Sequence, residues 1–135
     1  MQEKLKPLKT IHIAVSLGVT FAYFLIGDLQ NLDFLNIPEV DSTLYLYLLI
    51  PVVAVFLGNM LYRQQLKTAS KEELLENKIG IYQTASIIRW AVLEGAAFLI
   101  LFVKKELILI GLFLILYIFL LWPSLERMKS DFQRV

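Results

Sequence analysis

IYQTASIIRWAVLEGAAFLILFV, residues Ile81 to Val103, decides the fold. A helix rises about 1.5 Å per residue and bilayer hydrocarbon is about 30 Å thick, so about 20 apolar residues are enough to cross it. This stretch has that length, and it puts Glu94 near its middle. A central charge costs about +2.5 to +3.5 kcal/mol on insertion, against about −0.3 to −0.6 for each Leu, Ile, Phe or Val. Arg89 is a second charge in the same segment, so this helix inserts only marginally by itself and needs the rest of a bundle.

Downstream, Lys104-Lys105-Glu106 makes a short turn, and Leu107 to Trp122 is almost entirely Leu, Ile and Phe. That composition inserts readily, and the short turn makes the pair a tight antiparallel hairpin. Pro123 stops the helix, and ERMKSDFQRV reads as a polar tail. Upstream, Arg63 to Gly80 is polar. Ser70 followed by Glu73 forms a capping box, which predicts a short surface helix over Lys71 to Lys78.

A second helix is expected over Thr43 to Tyr62, with Tyr45, Tyr47 and Tyr62 as interfacial aromatics. Asp28 to Ser42 is an acidic loop. Before it, the basic lead Met1 to Lys9 opens a first helix over Thr10 to Leu29. The apolar run is longer than a signal peptide's and no small-residue cleavage site follows it, so it reads as an uncleaved span.

Composition agrees. The chain is 58% hydrophobic and 19% charged, with a mean hydropathy of +0.66, more apolar than an ordinary soluble domain. The expectation is an all-α, four-helix transmembrane bundle forming a single domain over residues 1–135, with the lipid bilayer as its first partner. A net charge of +1 gives no pull toward nucleic acid. Without Cys and with one His, no metal cluster or cofactor site is expected, and no nucleophile stands beside a base.

Lys4, Lys6, Lys9, Arg63, Lys67, Lys71, Lys78, Arg127, Lys129 and Arg134 fall on one side of such a bundle. Lys104 and Lys105 fall on the other, and Arg89 lies within a span. The asymmetry predicts both termini on the cytoplasmic side of an inner (plasma) membrane, with the acidic loop outside.

The first and third helices also correspond. Ile11, Ala14, Val15, Gly18 and Phe21 align with Ile88, Ala91, Val92, Gly95 and Phe98, which suggests a duplicated helical hairpin. Parallel repeats of this kind occur in transporters. The costly acid is not duplicated, since Leu17 stands opposite Glu94.

Without water to drive them together, helices associate through small residues and a few polar contacts. Ala14, Gly18 and Ala22 make one small-residue row, Ala91 and Gly95 another, and both read as packing surfaces. His12, Ser16, Thr20 and Tyr23 share a polar face. So do Gln83, Ser86, Trp90, Glu94 and Ala97 on the third helix, and Tyr47, Pro51, Ala54 and Gly58 on the second. These three faces are expected to meet, with the fourth helix outside them against lipid.

Arg89 and Glu94 project about 140° apart, so Arg89 is expected to snorkel to the cytoplasmic surface while Glu94 stays buried. Glu94, Thr20, Tyr23 and Tyr47 form the candidate proton- or cation-binding set. Arg89, Ser16, His12 and Asn59 are the supporting polar residues.

The string AVLEGAAF, Ala91 to Phe98, resembles the carboxylate helix of the proteolipid (c) subunits of rotary ATPases. In that family a helix running outward carries the acid that binds the transported proton or sodium ion. The resemblance implies that role for Glu94 alone. The second helix carries only Gly58 where the family has a glycine repeat, and Arg63-Gln64-Gln65 lies about twice too far upstream of the acid. The chain as a whole resembles small four-helix bacterial membrane proteins with an arginine and a Leu-Glu-Gly triplet in helix three. By topology it is also similar to the small protein encoded with bacterial ATP synthase.

Two functions follow as expectations. The first is a non-enzymatic subunit or accessory factor of a membrane assembly, either a homo-oligomer or a larger complex. The alternative is a proton- or cation-coupled transporter or channel component using Glu94 as its intramembrane carboxylate.

Overall fold

The computed structural model describes residues 2–26, 42–69, 73–103 and 108–134. The acidic loop, the Lys104-Lys105-Glu106 turn and the Ser70 cap lie outside the described residues. Among the described residues the chain is all-α: α1 (Lys6–Ile26), α2 (Ser42–Leu66), α3 (Ile79–Val103), α4 (Ile108–Leu120) and α5 (Leu125–Arg134). One-turn 3₁₀ segments at Gln2–Leu5 and Leu75–Lys78 lead into α1 and α3.

Three helical stretches, Lys6–Ile26, Tyr45–Leu66 and Glu76–Phe102, are long and apolar enough to cross a membrane. A fourth is available if α4 and α5, bent by 99° at their junction, count as one broken span.

α1, α2 and α3 begin earlier or end later than their hydropathy suggests, whereas α4 ends at Leu120, short of the expected Trp122. The basic lead is already helical, because Leu5 and Leu8 are fully buried in the core and Pro7 is tolerated in a first turn, where its missing N–H costs nothing. α2 runs past Tyr62 to Leu66, which is also buried. Tyr62 is therefore a core residue and not an interfacial anchor.

The core is centred on α3, whose Tyr82, Trp90, Leu93, Ala97 and Ile100 are buried. α3 packs against α2, α4 and α1, and α1 also packs on α4, while α1 and α2 share no substantial contact. The three polar faces do point inward: His12, Ser16 and Tyr23 on α1 and Ala54 and Gly58 on α2 are buried. The α1 face meets the α3 face, with His12 against Trp90 and Tyr23 against Ala97, but the α1 and α2 faces do not meet each other. α4 likewise does not stand outside the bundle, since its Ile108, Gly111, Leu114, Ile115 and Ile118 are buried.

A helix end leaves its last carbonyls without partners. At the end of α4 three groups supply them. His12 Nε2 donates to the Ile118 carbonyl at 2.7 Å, Arg127 donates to the Leu120 carbonyl at 2.8 Å, and Leu121 N closes a tighter turn onto Ile118 at 3.1 Å.

The polar tail is a helix. Ser124 caps it, with its Oγ accepting from Arg127 N at 3.1 Å, and the spacing of Leu125, Met128 and Phe132 turns one face inward, with Met128 fully buried.

Candidate functional site

Glu94 is half-buried on the flank of α3 that faces α1, and among the described residues its carboxyl forms no hydrogen bond or ion pair. The hydroxyls expected around it are engaged elsewhere. Tyr23 donates to the Ala97 carbonyl, and Thr20 donates to the Ser16 carbonyl of its own helix at 2.7 Å. His12 lies edge-on to Trp90 and Trp122, with ring centroids at 4.9 and 5.2 Å. His12 Nδ1, Ser16 Oγ and Trp90 Nε1 are buried around this cluster without hydrogen-bond partners. Tyr47 is half-buried.

The small-residue rows do not pack within the chain. Ala14, Gly18, Ala91 and Gly95 are exposed, and a methyl group added at Gly18 or Gly95 would meet nothing within 4 Å. The reason is geometric: both rows lie opposite the buried stripes of their helices, which α3 and α4 cover on α1, and α2, α4 and α1 cover on α3.

Arg89 departs most from expectation. It does not snorkel out but is 8% exposed between α2 and α3. Its guanidinium carbon stands 3.7 Å from the centroid of the Tyr62 ring, and one terminal nitrogen donates to Asn59 Oδ1 at 3.4 Å. Among the described residues its Nε has no partner and it forms no ion pair. Arg89 and Asn59, both singled out from sequence as supporting polar residues, are thus brought together at one site. The Tyr117 hydroxyl joins them, 3.4 Å from Asn59 Oδ1.

Further groups come from α5, whose side chains the reading of a polar tail left unplaced. The Tyr62 hydroxyl donates to Asp131 Oδ2 at 2.5 Å. Two cavities open beside Arg89. One, of about 320 Å³, reaches Asn59, Tyr62, Arg63 and Arg134; the other, of about 530 Å³, reaches Ser124, Arg127 and Ser130. The result is a polar basin at the end of the bundle where Lys4, Arg63, Lys78 and α5 gather.

Fold and site together define an all-α chain with three to four helices apolar enough to cross a membrane and a buried cation under the amphipathic α5. Comparison with protein-family models, with characterised proteins and with solved structures gave no match.

Proposed function

We propose that this protein is a four-span integral membrane protein of the plasma membrane. In this reading both termini are cytoplasmic, and the protein is a non-enzymatic subunit or accessory factor of a membrane assembly. The observation that carries it is Glu94, a mid-span acid on a half-buried flank with no hydrogen bond or ion pair among the described residues. Such a group is costly facing lipid and is relieved by a donor from a neighbouring chain. The uncovered Ala14/Gly18 and Ala91/Gly95 rows support the same reading, since small residues let helices approach closely.

Native mass spectrometry and crosslinking in mild detergent test it. Oligomers or a co-purifying partner are expected, with Glu94→Leu reducing them and Glu94→Gln, which still hydrogen-bonds, retaining them. A strict monomer without partners would defeat the proposal. The ion-coupled alternative rests on Glu94 itself, because Thr20 and Tyr23 spend their hydroxyls on backbone carbonyls. It requires Glu94→Gln to abolish ion-dependent activity while leaving assembly intact.

A further inference from the structure

We infer that the basin around Arg89 binds a phosphate group, carried either by an acidic phospholipid or by a free phosphate. The inference starts from an imbalance. A buried guanidinium has five N–H donors to satisfy, and an uncompensated buried charge is strongly destabilising. Arg89 is offered one neutral acceptor at a long 3.4 Å and the face of Tyr62, and its Nε is left over. Asp131 lines the same cavities and accepts from the Tyr62 hydroxyl, but among the described residues it forms no ion pair with Arg89.

The surroundings call for an anion from outside. Four cationic side chains line the two cavities, Arg63, Arg89, Arg127 and Arg134, against the two anionic ones of Glu126 and Asp131, a net +2. Arginine's planar fork matches phosphate oxygens in pairs, which a lysine cannot do. The cavities, about 320 and 530 Å³, hold more than a bare ion and fall in the range of small-ligand pockets, roughly 300–1,000 Å³.

Position points the same way. Trp122, with the Lys9 ammonium 5.9 Å from its ring, and the amphipathic α5, turned 99° from α4, lie beside the basin and are the kinds of group that suit a membrane–water boundary. Phospholipid phosphates lie at that level.

The test uses the full-length protein. One arm places it in nanodiscs of phosphatidylcholine with or without phosphatidylglycerol and counts retained lipid by native mass spectrometry. The other titrates inorganic phosphate into delipidated protein in detergent and follows the thermal midpoint, which a ligand of the folded state raises. Selective retention of phosphatidylglycerol alone identifies a lipid headgroup, and a response to phosphate alone identifies a soluble ligand; either supports the site.

Arg89→Gln is expected to weaken binding about tenfold or more, the loss of a charged hydrogen bond. Arg89→Lys should fall nearly as far, because it keeps the charge and loses the fork. If Arg89→Gln does not fold, the exposed rim pair Arg63→Ala and Arg134→Ala decides, with weaker binding expected at low salt. No lipid preference and no phosphate response in the wild type overturns the inference. So does unchanged affinity in a folded Arg89→Gln protein or, where that protein does not fold, in the rim double variant.

Discussion

Gly111 has no room for a side chain. A Cβ there would overlap the Tyr23 hydroxyl and stand 2.7 Å from Cε2 and Cζ of the same ring. Tyr23 is pinned by its bond to the Ala97 carbonyl and cannot withdraw. Gly111→Ala should therefore cost about 1–3 kcal/mol, as overpacking does, and lower the thermal midpoint. Adding Tyr23→Phe should not rescue it, because the ring carbons remain. In the dissociated single chain, Gly18→Ala and Gly95→Ala, which face open space there, should be neutral or stabilising by about 0.5–1 kcal/mol, as expected for Gly to Ala within a helix. If all three substitutions behave alike in thermal unfolding, the helix faces are assigned wrongly. Residue identity alone does not separate these glycines. Gly18 and Gly95 stood out in the sequence because they align with each other, whereas Gly111 lies in a run where every neighbour is large and apolar. The same limit applies to the charges. Their positions within α3 fix that Arg89 and Glu94 face different ways, but α3 is apolar nearly all round, and lipid and core are equally apolar, so periodicity does not show which face goes in. The packing of α2 and α4 settles that, and it buries the cation more deeply than the acid.

At the scale of elements, α5 is the part that hydropathy hides. Its composition is that of a tail, yet a capping serine and apolar residues at Leu125, Met128 and Phe132 are a helix signature that length-and-hydropathy reading passes over. The contacts that hold the helix include the buried Met128, the Arg127–Leu120 carbonyl and Tyr62–Asp131 hydrogen bonds and the Lys78 ammonium 5.2 Å from the Phe132 ring. Tyr62→Phe removes one hydrogen bond to a charged group, a loss of about 1.5–3 kcal/mol. It should release α5 while leaving the bundle folded. Hydrogen exchange is the measurement: amides of 125–134 should exchange faster in Tyr62→Phe and in Met128→Ala, with those of α3 and α4 unchanged. Uniform acceleration across the chain would instead make α5 part of the cooperative core. The long spans were easier to read, because about 20 apolar residues leave few alternatives to a membrane helix. Their neighbours were not legible. α1 and α2 are adjacent in sequence, but each packs on α3, and the hairpin repeat suggested by the Gly18–Gly95 alignment does not appear as two equivalent packed pairs.

For the whole molecule the open quantity is the number of crossings, and parity constrains it. Gln83 donates to the Lys4 carbonyl at 3.3 Å and Lys9 lies over Trp122, so the start of α1, the start of α3 and the end of α4 share one end of the bundle. If α1, α2 and α3 each cross the membrane, the chain can return to that end only through α4. Yet α4 has 13 residues, about 20 Å of helix against about 30 Å of hydrocarbon. A short span of this kind is accommodated by local thinning of the bilayer or by flanking polar side chains reaching outward, each at a modest cost per ångström of mismatch. The amphipathic α5, lying across the end of α4, supplies such a flank. The absence of native cysteine makes the count measurable with single reporters. Lys4 and Lys129 are exposed at the two ends of the chain. Lys4→Cys and Lys129→Cys should react with a membrane-impermeant maleimide from the same side, the side that positive charge assigns to the cytoplasm. Both should therefore label in inside-out vesicles and stay silent in right-side-out ones. Labelling from opposite sides would mean an odd number of crossings and would remove α4 from the spans. Labelling of both from outside would leave four crossings standing but invert the orientation, and with it the leaflet from which the Arg89 basin meets its anion.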